Sequence, residues 1–369
     1  MKRKILRRRS FVQTIMAAVA GFGVKGSFAA EEKLEQAVKL LETSVRSRIL
    51  RAASLHVRQG ERSFRRAVGE ASEGTPFLIA SITKPLTSAG VMLLVDRHEL
   101  QLSDPVYKFI PEFSAGDRKK ITIRHLLTHT SGLPDQLPEN VELRKRHAPL
   151  SEFVERALRT PLLFKPGREV RYQSMGFLLA AEVAQRITNQ PFREYLRQSL
   201  FLPMGMVNSH LGLGPLKIQD TAQNQVEEAP GSYGGGSDTS SWNWNSKYWR
   251  DLGVPWGGAH STGVDLERFL RYFLHPDGSI LSINSANEMV RNQNVGMDTP
   301  WGLGFAVQPA TLGQFCSPAA FGHSGSTGTL CWADPRNDAS MVLLTTLPAR
   351  VSRTSLLEPV SSLVGTAFA

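Results

Sequence analysis

The β-forming runs of this chain sit at its two ends. Residues 55–71, LHVRQGERSFRRAVGEA, alternate on either side of Gly60 as a hairpin does, and a stretch with helical spacing at 31–50 precedes them. Near the other end, WGLGFAV, AAFGHSG, TLCWADP and SMVLLTTL are short β-rich runs separated by Gly, Pro and Asn turns. The segment SLLEPVSSLVGTAF that follows them has helical character. Between the two ends, SEFVERALRT, MGFLLAAEVAQRI, FREYLRQSLF and DLERFLRYFLH carry helical periodicity and are joined by Pro/Gly loops. Such a chain must bring its ends together to complete one sheet. The expected organisation is a sheet lobe from residues 30–80 and 300–369, with a helical lobe, residues 81–299, inserted into it.

Residues 1–29 read as an export signal. MKRKILRRRSFVQ is basic, VQTIMAAVAGFGV is a short apolar core, and Ser27-Phe28-Ala29 resembles a small-residue cleavage site. Arg8-Arg9-Ser10-Phe11 resembles the twin-arginine signature, which delivers folded proteins; an ordinary basic signal peptide is the plainer alternative. Removing this segment takes away seven basic residues and no acidic ones, so the formal charge falls from +10 to +3. Nucleic-acid binding then loses its main support. No later apolar run reaches membrane-spanning length, so a soluble periplasmic or secreted protein is expected. Cys316 and Cys331 are the only cysteines. Exposure to an oxidising compartment allows a bridge between them and folding before export disfavours one, so both states stay open.

Within FLIASITKPLTSAGVMLLVD, residues 77–96, Lys84 stands among apolar neighbours. A buried ammonium is costly unless it is paired or used. Ser81 and Lys84 are three apart, which puts them on one face at a helix start. A lysine so held can polarise or deprotonate the serine hydroxyl. Pro85 is tolerated in the first turn, and the helix N-terminus favours a nearby oxyanion.

A lone Ser-x-x-Lys is weak evidence. Here Tyr172-Gln173-Ser174 follows 91 residues after Ser81 and just before a helical run, and His323-Ser324-Gly325 follows 151 residues after Tyr172 in a predicted strand. With these motifs the chain resembles the penicillin-recognising serine hydrolases of the class C β-lactamase type, which include D-alanyl-D-alanine carboxypeptidases and serine esterases. HLLTHTSGLP (125–134), WGGAHSTGVDLERF (256–269), WGLGF (301–305) and FGHSGSTG (321–328) are also similar to that family, and the likeness runs over about residues 33–350.

The resemblance implies an α+β fold of the β-lactamase/transpeptidase type: an antiparallel sheet flanked by helices, with an inserted all-α lobe. It implies Ser81 as nucleophile, Lys84 as its partner and Tyr172 as a general base whose phenol pKa falls far below its usual value near 10, helped by the Lys84 charge. Ser174 would order Lys84 and Tyr172 by hydrogen bonding. The backbone N–H groups of Ser81 and Ser326 would form the oxyanion hole, and Ser324, with Gly325 beside it, would face the substrate. No metal or cofactor is implied. Two departures weaken a β-lactamase reading: His323 stands where the family commonly has Lys, and Ser174 where Asn is commoner. A histidine of ordinary pKa there would be charged only toward acid pH.

Three further features are given plain readings. His125 and His129 are four apart but lack the adjoining Glu of a zinc peptidase, and are expected to pack at the site wall. The run Arg144-Lys145-Arg146-His147 reads as a solvated helix end. Residues 229–257, Gly/Ser-rich with Trp242, Trp244, Tyr248 and Trp249, are either a packed flap or a loop rimming the site. The expected function is an exported serine hydrolase that cleaves an ester or amide through a Ser81 acyl-enzyme, of esterase or D-Ala-D-Ala carboxypeptidase type, acting on a small-molecule or peptidoglycan-derived substrate. The alternatives are a true β-lactamase and a penicillin- or muropeptide-binding sensor with little turnover.

Overall fold

The computed structural model describes residues 30–236, 238–308 and 312–368. The signal-like segment 1–29 lies outside the described residues.

A helix over residues 30–46 (α1) leads into β1 (Ala52–Gln59) and β2 (Arg62–Gly69), an antiparallel hairpin. Gly60 turns it with φ +54°, a conformation natural to glycine. The short strand β3 (Phe77–Leu78) then delivers the chain to α2 (Thr83–Asp96). The helices that follow are α3 (Ile123–Leu127), α4 (Asn140–Lys145), α5 (Leu150–Arg159), α6 (Met175–Thr188) and α7 (Phe192–Leu196). Next come β4 (His210–Leu211), α8 (Lys247–Leu252), β5 (Ala259–Ser261), α9 (Gly263–Leu274) and α10 (Ile283–Val290). The chain closes with β6 (Phe321–Gly325), β7 (Thr329–Asp334), β8 (Ala339–Thr345) and α11 (Glu358–Phe368).

The main sheet has the order β2-β1-β8-β7-β6, every pair antiparallel, so β1 from the beginning of the chain lies against β8 from its end. Strands β7 and β8 are buried along their whole length because both faces are covered, whereas β2 at the sheet edge is polar and partly exposed. Leu55, Val57, Leu330, Trp332, Met341 and Leu343 share one core with Leu34, Ala37, Val38 and Leu41 of α1 and Val360 and Val364 of α11. Their neighbours Cys331, Ala333, Val342 and Leu344 turn to the larger core. There α9 lies on β1, β7 and β8, using Leu266, Phe269, Leu270 and Phe273. A second sheet, β3-β5-β4, sits beside α2. Every residue of α2 from Thr83 to Leu94 is buried, the polar Thr83, Lys84, Thr87 and Ser88 included.

One expected strand is absent. WGLGFAV makes only isolated bridges, Trp301 to Ala306 and Ala306 to Gly322, because Gly304 at φ +82° folds the segment back on itself. Both cysteines are free thiols, Cys331 buried in β7. Among the described residues, no helix is long and apolar enough to cross a membrane.

Candidate active site

Ala80 stands at φ +45°, a left-handed conformation that costs a non-glycine residue free energy, and it turns the chain sharply from β3 into α2. Ser81 follows on that turn and faces a cavity of about 510 Å³. One turn later Lys84, fully buried, donates from Nζ to Ser81 Oγ at 3.1 Å and to the Trp256 carbonyl at 3.0 Å. Thr87 Oγ1 donates to the Pro255 carbonyl at 2.6 Å, and the Ala259 amide donates to Thr83 Oγ1 at 3.1 Å. The polar residues of α2 thus tie residues 255–259 to the helix and fix the lysine. Burial pushes the Lys84 amine down to about 7, an effect opposed by the Asp135 carboxylate. Near neutral pH this lysine therefore exchanges a proton readily.

Tyr172 is held in place by the HTSG segment. His129, buried and at φ +63°, accepts at Nδ1 from the Gln173 amide (3.0 Å), while its carbonyl accepts from the Arg171 amide (2.9 Å). Ser131 Oγ donates to the Gln173 side chain. The His129 ring stacks on the Tyr172 ring at 4.6 Å, and Lys84 Nζ lies 4.7 Å from the Tyr172 ring centre. His129 is thus a wall residue, and His125 Nδ1 accepts from the Thr122 amide to close the N-terminus of α3.

Two expectations about Tyr172 and Ser174 are corrected. The Tyr172 phenol is pushed up from its usual value, first by burial, with the hydrogen bond to Ser81 acting the other way. Because Tyr172 is 38% exposed in an open cavity, solvent relieves part of that penalty, but the Ser81 hydrogen bond does not outweigh burial and the phenol stays above its usual value. Ser174 Oγ donates to Asp135 Oδ1 at 2.6 Å, while the hydrogen bonds of Lys84 go to Ser81 and the Trp256 carbonyl, so Ser174 orders Asp135 instead.

The third motif lies on β6. Gly325 is required by close approach: a Cβ there would meet the Ile79 carbonyl at 2.5 Å. Thr327 and Thr329 hydroxyls donate to the carbonyls of Leu78 (2.7 Å) and Ile79 (3.0 Å), locking the β6–β7 turn, with Ser326 in it, against the segment carrying Ser81. Ser324 Oγ accepts from Arg353 at 3.3 Å. His323 corrects a further expectation. It is 3% exposed, its Nδ1 lies 2.6 Å from the Ser324 carbonyl, and burial with the Lys84 charge pushes it down to about 3. It is neutral across the physiological range.

The loop at 229–257 divides by residue. Tyr233, Trp244, Trp249 and Trp256 line the cavity, whereas Trp242 is buried away from it. Its anchor is Arg144, which is fully buried rather than solvated. The Arg144 guanidinium lies 3.8 Å from the Trp249 ring centre and donates to the carbonyls of Ser232, Tyr233 and Trp242. Among the described residues no cluster of three or more metal-ligating side chains occurs.

Sequence reasoning missed Asp135, and it marked the segments that begin at Trp256 and Trp301 without assigning either tryptophan a role. Asp135 follows a Leu-Pro pair and looks like a turn residue. Trp256 acts through its carbonyl, which leaves no side-chain signal.

A nucleophile on a strained strand-to-helix turn, one helical turn from a buried lysine and pinned against a sheet-edge strand, defines a serine hydrolase site. Residues 31–359 match the Beta-lactamase family model, and the chain belongs to that family. Esterase EstB of Burkholderia gladioli is 30% identical over 327 residues, covering 77% of this chain and 80% of that protein. The fold is shared with the D-amino acid amidase of Ochrobactrum anthropi SV3 (TM-score 0.71, 23% identity, 90% of this chain and 97% of that one). It is also shared with the octameric penicillin-binding protein homologue of Pyrococcus abyssi (TM-score 0.69, 20% identity, 88% and 78%).

Proposed function

We propose that this serine hydrolase is an exported carboxylic-ester hydrolase working through a Ser81 acyl-enzyme. The 3.1 Å contact between the Lys84 amine and the Ser81 hydroxyl carries the reading. With its pKa lowered to about 7, Lys84 in its neutral form accepts the Ser81 proton as Oγ bonds to the substrate carbonyl carbon. The oxyanion is received by the Ser81 and Ser326 amides. As the tetrahedral species collapses, Tyr172 donates its proton to the departing alkoxide and regains one from the Lys84 ammonium. Water then attacks the acyl-enzyme, its proton passing to the same pair, and Ser81 is restored. A phenol held above its usual pKa suits this donor role better than that of primary base.

Neutral His323 supplies no cation of its own for a carboxylate beside the scissile bond, which weighs toward an ester, although the Arg353 guanidinium stands on the neighbouring Ser324. The likeness to Esterase EstB supports the same choice. A fluorophosphonate label, followed by p-nitrophenyl esters, nitrocefin and D-Ala-D-Ala peptides, tests it. Esters should turn over steadily and the peptides poorly; efficient peptide or nitrocefin hydrolysis would reverse the assignment, and a burst without turnover would point to a sensor.

Export rests on the character of residues 1–29. Cell fractionation should find the mature protein outside the cytoplasm, and Arg8→Lys with Arg9→Lys should retain it inside if the twin-arginine route is used.

A further inference from the structure

Asp135 is a half-buried carboxylate that lines the cavity holding Ser81. Its Oδ1 accepts from Ser174 at 2.6 Å and its Oδ2 lies 3.5 Å from the Tyr233 hydroxyl. Among the described residues, no lysine, arginine or histidine forms an ion pair with it within 4.0 Å. Lys84 is near enough for the two charges to act on each other, but it forms no ion pair with Asp135, so at the wall of the binding cavity this carboxylate has no cation in contact with it. The neutral hydroxyls that meet it fix its orientation without neutralising it.

Its surroundings are aromatic. Tyr233 and Trp244 stand with ring centres 5.8 Å apart at 32°, and Trp256 lines the same cavity. Trp249 already has Arg144 over its ring, so this wall demonstrably carries a cation–π contact. The cavity also holds two guanidiniums, and neither forms an ion pair with Asp135: Arg353 bonds Ser324 of β6, and Arg350 bonds the Glu228 carbonyl. A carboxylate beside electron-rich rings is the chemistry that selects an ammonium group.

The geometry points to a substrate that carries a cationic ammonium, held by Asp135 and the Tyr233/Trp244 faces while Ser81 attacks its ester carbonyl. This deepens the ester-hydrolase reading and rests on it for the reaction, though not for the binding.

Two measurements test it. The first compares isosteric ester pairs: the p-nitrophenyl ester of γ-trimethylammoniobutyrate against its neutral tert-butyl counterpart, and acetylcholine against its neutral carbon isostere. At least one pair should favour the cation by about tenfold in kcat/KM, and Asp135→Asn, which keeps an acceptor for Ser174, should erase that ratio. A role limited to orienting Ser174 or tuning Lys84 would change both members of a pair alike and leave the ratio intact. Equal rates for cation and isostere in both pairs, or a preference that survives Asp135→Asn, would overturn the assignment. The second measurement needs no hydrolysis: benzyltrimethylammonium should quench the tryptophan fluorescence of Ser81→Ala protein saturably, and about tenfold more weakly when Asp135→Asn is added. No saturable quenching, or quenching indifferent to Asp135→Asn, would overturn the ammonium site. Quenching without hydrolysis of any ester would instead count against the esterase reading alone.

Discussion

The Lys84 amine reaches two oxygens, the Ser81 hydroxyl at 3.1 Å and the Trp256 carbonyl at 3.0 Å, and neither is a carboxylate. Its charge is therefore uncompensated at close range. Burial drives the proton off near neutral pH, which turns a residue normally inert as a base into a usable one.

This arrangement should cost stability. The amine's pKa falls from 10.5 in the unfolded chain to about 7 in the fold. Between those values the unfolded chain holds a proton that the folded one lacks, so stability rises with pH across that window and the penalty is fully present below it. Lys84→Met should remove the slope and raise stability at neutral pH by about 1 kcal/mol or more, while abolishing turnover. Urea midpoints at several pH values read this directly; a destabilised Lys84→Met protein would contradict it.

His323 should not respond to substrate charge. With its pKa pushed down to about 3, kcat/KM profiles for a matched carboxylate-bearing and neutral ester should run parallel above about pH 5. His323→Lys should separate them, improving the anionic ester selectively. In stability the sign is again fixed by the folded value lying below the unfolded one: protonation of the unfolded chain withdraws stability as pH falls below about 6.5. His56 and His260, also buried and lowered, should add to this acid sensitivity.

Two tryptophans of one loop should behave differently. Trp244→Ala should raise KM for bulky esters more than for acetyl esters, since Trp244 lines the cavity. Trp242→Ala and Arg144→Met should lower thermal stability instead. The Arg144 change leaves the carbonyls of Ser232, Tyr233 and Trp242 without their donor, a loss of about 2–4 kcal/mol. Equal KM effects of the two tryptophan changes on every ester would return the whole loop to a packing role.

What the sequence disclosed follows from how each signal arises. That both chain ends build one sheet was legible from β-forming runs at both ends and helical periods between them; that β1 lies against β8 came from the structure. Ser81, Lys84, Tyr172 and His323 were legible through the family resemblance that their motifs carry, and the fold brings all four to one place. The protonation states were not legible. Tyr172 and His323 shift opposite to or well beyond expectation because burial is set by side chains distant in sequence, such as His129, 43 residues before Tyr172 and stacked upon it. Arg144 misled for the same reason: a basic run reads as solvated until the tryptophans that cover Arg144, about 100 residues later, are in place. WGLGFAV alternates like a strand, yet Gly304 bends it.

The acylation step itself offers the most direct test. Rapid-quench mass spectrometry of the protein mixed with p-nitrophenyl acetate should find the acetyl group on Ser81. Its rate of appearance should rise with pH to a plateau, with a midpoint near 7 set by Lys84. In Lys84→Ala protein that rate should fall by about a hundredfold or more and lose the midpoint. An adduct on another residue, or a Ser81 acylation rate with the same midpoint after Lys84→Ala, would contradict the assignment of Ser81 as nucleophile and Lys84 as its base.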